Sequence, residues 1–546
     1  MSSIIAISFA NRSRRGRVLW CVLLGLWCVC WLWPGLALAT RRTESAETEQ
    51  MLNQGAELLE RWQAVEAFAW LERQLATEPQ EPAWRFLLGQ AQFYLGQYKE
   101  ALATLDDLLK TIQHPHFQGY RDFVAQTIAS TKTLEPIETE HFEIFVDPQQ
   151  DAALIPYVAE VLEQSYQRLG QIFGLMPAEK IRVEIFPTPD TFYPASSLSA
   201  RDIEVSGAIG ICKFNKIMLL SPRNLARGYR WTDALSHEYI HFLLVHVSAN
   251  HAPIWLHEGV AKYFEDAWRL PQSAWLSRRT ESLLAHALAN DSFVGLDNME
   301  PSLVKLDTTY QVQLGYAEAA SAIDFIVQRL GYPGLVQILR ELQQAQEEGA
   351  TGAITRIMGY SFPQFEQEWH QFLAAKNLQE HEGVRLPRYT LKEDGHLPVD
   401  DLQQEIKSTT ARMHTRLGDR LRQRSRTRAA ASEYRRALDQ DPYSSYLLNK
   451  MAGTLMQLGD WQGALQHLQR AQVLEPDYST TYANLGQLYV AQANYEQARL
   501  ALWEAIQINP FDPMLHHYLA QTYRQLGQED KAKQEERLFK RLQETP

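Results

Sequence analysis

Pro442, Pro476 and Pro510 lie 34 residues apart, and two series of alanines keep the same step, Ala430, Ala464, Ala498 and Ala532 in one and Ala437, Ala471 and Ala505 in the other. A repeat of that length is two helices and a turn: the alanines let paired helices approach closely, and the proline stops the second helix from running on. One such unit cannot bury its own apolar face, so it must stack on its neighbours, and the stretch is constrained to a helical solenoid. Four units are expected over residues 411–546, the last incomplete. A fainter copy of the period occupies residues 43–132, where Gly55, Ala67 and Pro79 are answered 34 residues on by Gly89, Ala101 and, less well, Gln113.

Several residue series in one register argue against an irregular bundle. The pattern resembles the tetratricopeptide repeat, and the resemblance implies a concave face that holds a partner protein or an extended peptide. Between residues 386 and 410, Pro387, Pro398 and mostly polar neighbours read as a linker, which makes the repeats at 411–546 a removable arm.

The chemistry lies between the two repeat regions. His237-Glu238-Tyr239-Ile240-His241 puts two histidines four apart, one turn along a single helix face, where both imidazoles can aim at one Zn²⁺. Glu238, beside the first of them, is placed to take a proton from the attacking water. A third protein ligand is needed, and its position separates the classes of such sites. The metzincin pattern would require Gly at 244 and His at 247, whereas this chain has Leu244 and Val247. Downstream, Trp255-Leu256-His257-Glu258-Gly259-Val260-Ala261 resembles the ligand helix of the gluzincins, the MA-type zinc peptidases. The resemblance implies that Glu258 is the third ligand and that Glu265, two turns further along the same face, supports a ligand histidine.

Asp233, one turn before His237, is a second candidate for orienting that histidine. His246, His251 and His257 have no ligand spacing and are read as surface or supporting residues. A donor for the developing oxyanion is expected beyond the third ligand. Tyr316, which opens an apolar helix running to Leu330, is placed like the tyrosine of related gluzincin domains; Tyr310 is the alternative. Gly207-Ala208-Ile209-Gly210-Ile211 compares with the Gly-Ala-Met-Glu-Asn strand of zinc aminopeptidases. The glutamate that grips a substrate's free amine there is Gly210 here, which favours internal cleavage.

Around these motifs, residues 134–385 read as one domain. His141 to Val146 and Ile181 to Phe186 alternate as strands, an amphipathic helix spans about Ala152 to Phe173, and Gly207 to Ser221 reads as a hairpin turning near Asn215-Lys216. The helices bearing the motifs follow, so the fold class is α+β, a mixed sheet and then helices, set between helical repeat solenoids.

At the N-terminus, Arg12, Arg14, Arg15 and Arg17 precede an uncharged run from Val18 to Ala39 that ends in Ala37-Leu38-Ala39. Residues 1–39 therefore read as an export signal or, since residues 18–39 are long enough to span a bilayer, as a membrane anchor; both put the body outside the cytoplasm. Three of the four cysteines lie in this leader, leaving Cys212 alone and an intramolecular disulfide impossible beyond it. A net charge of −12 argues against nucleic-acid binding. The reading is an exported or membrane-anchored zinc metallopeptidase acting on a peptide or protein, with repeats that bind a protein partner. The alternative is an envelope assembly scaffold with a vestigial zinc domain.

Overall fold

The computed structural model describes residues 50–79, 81–344, 348–392 and 405–544. The leader expected at residues 1–39 lies outside them, as does 393–404 of the linker. Among the described residues no helix is long and apolar enough to cross a membrane.

The chain forms two compact units, residues 1–121 and 122–546. In the first, α1 (Ala64–Thr77), α2 (Pro82–Tyr94) and α3 (Tyr98–Thr111) pair as the 34-residue period requires, and α4 (Pro115–Ser130) carries the chain from the first unit into the second. Gly89 faces Leu105 so closely that a Cβ would stand 3.0 Å from it, which is why the first helix of a pair carries a small residue there. Ala67, Leu71, Trp84 and Ala91 build the core.

The second unit holds a five-stranded sheet in the order β1-β2-β3-β5-β4, from β1 (Glu135–Glu138), β2 (Phe142–Val146), β3 (Ile181–Phe186), β4 (Gly210–Lys213) and β5 (Lys216–Leu220). The two outer pairs are antiparallel and the two inner pairs parallel. Phe142, Ile144 and Val146 are buried on one face, as strand alternation demands. β4 and β5 join through Phe214 and Asn215, both at positive φ (57° and 60°), the two-residue turn that matches strand twist. The helix after β2 is α5 (Ile155–Phe173), closed by Gly174 in the left-handed region. The sequence expectations for these strands and this helix agree with the structure to within a few residues; β1 and the two short helices α6 (Pro189–Ser196) and α7 (Ala200–Ser206) lacked a clear period and were not expected.

The motif helices come next. α8 (Trp231–Ser248) and α9 (Ile254–Phe264) carry the two motifs, α10 (Arg278–Asn290) follows, and α11 (Thr309–Glu341) runs long, broken at Gly331 (φ 67°). After α12 (Gly349–Met358) and α13 (Phe362–Ala375) the chain returns to repeats in four helix pairs, α14 (Thr409–Gln423) with α15 (Thr427–Gln440), α16 (Ser445–Gln457) with α17 (Trp461–Leu474), α18 (Ser479–Ala491) with α19 (Tyr495–Ile506), and α20 (Pro513–Gln525) with α21 (Glu529–Glu544). The fold is thus α+β in its middle with helical repeats before and after.

These last repeats are not a removable arm. Their inter-repeat turns dock on the α+β domain, and the dock centres on the start of α8. The Arg230 guanidinium donates to the Pro476 carbonyl (3.1 Å) and the Glu504 carboxylate (2.8 Å), while the Trp231 indole donates to the Ile506 carbonyl (2.9 Å). The backbone N–H groups of Tyr229 and Trp231 donate to Ile508 and Gln507. Two turns one period apart each hold an arginine: Asp441 takes Arg385 (2.7 Å) and Glu475 takes Arg227 (2.6 Å). The N-terminal N–H groups of a helix have no partner in the helix itself. Here the solenoid supplies one for Trp231. Trp231→Ala should therefore cost about 3–5 kcal/mol, the usual range for emptying a buried aromatic site. Urea denaturation of the full chain reads it, and a loss below about 1 kcal/mol would show that the dock carries no stability.

Candidate metal centre

α8 is buried on almost every side, and two of its histidines face the helix that follows. His237 and His241 stack along its face with ring centroids 4.8 Å apart. The chain then turns back through Ala249 and Asn250, both at positive φ, into α9. Gly259 fixes how deep α9 sits: a Cβ there would fall 2.6 Å from the Ala319 carbonyl of α11. That approach brings its neighbour Glu258 opposite the histidines, with Glu258 Oε2 3.5 Å from His237 Nε2 and 3.5 Å from His241 Nε2. The ligand atoms of the three residues all lie within 4.8 Å of one another, the one such trio among the described residues.

These separations are long for hydrogen bonds and right for coordination. A tetrahedral ion with bonds of about 2.1 Å sets its ligand atoms about 3.4 Å apart. Glu258 Oε2 is buried with no hydrogen-bond partner, as a ligand oxygen would be. The electrostatics agree. Burial pushes the Glu258 carboxyl up, but His241 and His237 together hold it well below the usual carboxylate range. Burial works against a charge on His237, yet Glu258 and Glu265 raise it to about 10. The pocket thus favours a positive charge at this point, from protons or from a metal ion. The residues present fit Zn²⁺.

The groups around the trio orient it. His237 Nδ1 lies 3.1 Å from Glu265 Oε2, and Glu265 is itself gripped by Lys262. Asp233 does not orient His237. Its carboxylate is taken by Arg269 (2.9 and 2.6 Å) and by the Trp268 indole (2.9 Å), so the spacing of one turn along α8 is overruled by partners from beyond α9. His257 is buried with its Nδ1 3.4 Å from His241 Nδ1, the support for the second histidine that Glu265 gives the first. Burial and His241 lower it to about 3, so it is neutral and can accept. Its signal in the sequence was its place immediately before Glu258, on the helix that faces α8.

Glu238 is also buried, and one of its oxygens, Oε2, has no hydrogen-bond partner. Burial raises its carboxyl, offset in part by His241, His237 and the Cys212 backbone N–H. It lies against the edge strand: a Cβ at Gly210 would stand 2.7 Å from Glu238 Oε1 and 2.9 Å from its Cγ. The position compared above with an amine-gripping glutamate has no room for a side chain while Glu238 keeps this place. Tyr316 sits near the trio, its hydroxyl pushed well above the ordinary tyrosine value by burial first, then by Glu258 and Glu238. Tyr310 stands instead against His286, ring centroids 6.3 Å apart.

Residues 162–375 match the family model of the Peptidase MA superfamily. Tetratricopeptide-repeat models match 58–121 before it and 415–479, 455–517 and 501–534 after it. Small glutamine-rich tetratricopeptide repeat-containing protein 2 of Mycosarcoma maydis is 24% identical over 99 residues, which cover 18% of this chain and 28% of the relative's own length. The Sgt2 TPR domain from Aspergillus fumigatus aligns at 21% identity over 23% of this chain and 83% of that one, TM-score 0.22. Native yeast LTA4 hydrolase aligns at 12% identity over 74% of this chain and 66% of that one, TM-score 0.28.

If Glu265 fixes the tautomer and angle of His237, Glu265→Gln should weaken zinc binding by about 10- to 100-fold. Calorimetric titration of the metal-free chain measures it; an unchanged affinity would assign the orientation of His237 to packing alone.

Proposed function

From a Peptidase MA superfamily domain flanked by tetratricopeptide repeats, we propose that this protein is a zinc-dependent metallopeptidase, exported or held at a membrane by residues 18–39, whose repeats bind a protein partner. One observation carries the reading: Glu258 Oε2 stands 3.5 Å from both histidine Nε2 atoms, with an unpartnered oxygen of Glu238 buried beside them. A vestigial site would be expected to have lost a ligand or the base, and each is present.

His237, His241 and Glu258 would hold the ion. Zn²⁺ bound there supplies Lewis-acid polarisation of the scissile carbonyl. Glu238 takes the proton from the attacking water and returns it to the leaving amine. Its crowding by Gly210 sets its carboxylate directly behind the edge strand β4. Tyr316 stays protonated and donates to the oxygen on which charge develops. β4 is the last strand of the sheet and pairs only with β5 among the described residues, so a peptide can add to its outer edge by backbone hydrogen bonds.

Two glutamates are thereby given different duties, and their amide variants separate them. Glu238→Gln should keep one zinc per chain and lose hydrolysis, whereas Glu258→Gln should lose zinc as well, because a neutral amide replaces an anionic ligand. Metal content after dialysis against a mild chelator decides it: equal retention removes Glu258 from the ligand set, and full activity in Glu238→Gln leaves the repeat scaffold as the better reading. Tyr316→Phe should lower kcat by about 10²- to 10³-fold at unchanged zinc content. A loss of a few-fold would return Tyr316 to a packing role.

A further inference from the structure

The segment after α13 has the composition of a linker but does not run free. Arg279 donates to the Arg385 carbonyl (3.0 Å), and Arg385 reaches on to the Glu405 carbonyl (2.9 Å) and Asp441 (2.7 Å). Five to seven residues later the chain is tied again. Leu391 bridges Leu225, the Ala226 N–H donates to the Thr390 carbonyl (2.9 Å) and the Lys392 N–H to the Asn224 carbonyl (2.8 Å). Between these anchors stands Tyr389. Its ring occupies the space a side chain at Gly207 would need, and Gly207 holds φ 75°, a conformation that independently favours glycine there. On the other side Tyr389 lies within electrostatic reach of Lys262 and Glu265 from α9 and of Tyr316 from α11. It therefore stands between the two walls of the cleft, the approach to β4 and the helices that carry Glu258 and Tyr316.

Gly207 is three residues before Gly210, the residue against Glu238. Even fully extended chain rises only about 3.3 Å per residue, and here it turns, with the Ile209 N–H on the Gly207 carbonyl, so Tyr389 meets the segment leading into β4 less than about 10 Å from Gly210, three substrate residues at most. We propose that residues 386–392 form a strap across one end of the cleft and that Tyr389 limits a bound peptide to at most about three residues beyond the scissile bond on that side. The substrate class is then a peptide cut near one of its ends, or a chain end presented by a partner on the repeats, rather than the middle of an extended loop. This rests on the zinc-peptidase reading and narrows it. It also replaces the sequence argument for internal cleavage: the absence of an amine-gripping glutamate at Gly210 leaves the cleft open there, but the strap closes it elsewhere.

The test uses the full chain, purified in detergent and loaded with Zn²⁺, with quenched fluorescent peptides lengthened one residue at a time from either end and the cut located by mass spectrometry. On one side only, kcat/KM should fall by at least about tenfold once more than three residues follow the cut, and Tyr389→Gly should raise the ratio of long- to short-peptide kcat/KM by a similar factor. A wild-type enzyme indifferent to length on both sides, or a limit that persists in Tyr389→Gly, would overturn the strap. Hydrogen exchange judges it apart from catalysis. The Ala226 and Lys392 amides should be protected in the wild-type chain and exchange faster in Tyr389→Gly; free exchange at both in the wild type would also overturn it. Failure to cleave any peptide, with those amides protected, would count against the peptidase reading and leave the strap standing.

Discussion

The centre depends on a contact that involves no metal ligand. α9 meets α11 backbone to backbone, with no room for a Cβ between Gly259 and the Ala319 carbonyl. Any larger residue would push α9 outward, and Glu258, one position earlier, would move with it. The 3.5 Å distances from Glu258 to both histidines are set by this helix packing. Interiors pack too tightly to absorb such a shift. On the opposite wall Gly210 does the same for Glu238, letting the edge strand lie against a buried carboxylate. Two glycines, one beside Glu258 and one against Glu238, hold these walls at a spacing that side chains would forbid.

Much of this was legible because it is local. Two histidines four apart on a helix must share a face whatever else the chain does, and the 34-residue step survives in the structure as helix pairs with Gly89, Gly418 and Gly486 each pressed against the partner helix. The hairpin turn was readable at Asn215 because few residues accept positive φ. Asp233 failed for the complementary reason. Helical spacing put it one turn from His237, but its carboxylate is claimed by Arg269, 36 residues away in sequence, and nothing in the local pattern encodes that competition.

The dock of the repeats and the strap were illegible for a further reason. Both rest on backbone carbonyls and on arginines that read as ordinary surface charge. Glu475 and Asp441 are one period apart and look like solvent-facing turn residues, yet each receives an arginine from the α+β domain. The segment around Tyr389 has no apolar period, so composition describes it as a linker. Its anchoring carbonyls at Arg385 and Thr390 carry no sequence signal at all. The consequence for the repeats is a division of surfaces: the inter-repeat turns are spent on the chain's own α+β domain.

The Trp231 indole and the Ile506 carbonyl are 275 residues apart in sequence. A ribosome adding about 5–20 residues per second makes Trp231 roughly 14–55 s before Ile506 exists. Through that interval the helix bearing both histidines emerges without the partner that holds its first turn. The order of synthesis thus leaves the first turn of the helix bearing His237 and His241 among the last parts of the molecule to gain its partner, and a chain cut short before its third C-terminal repeat is complete lacks that partner.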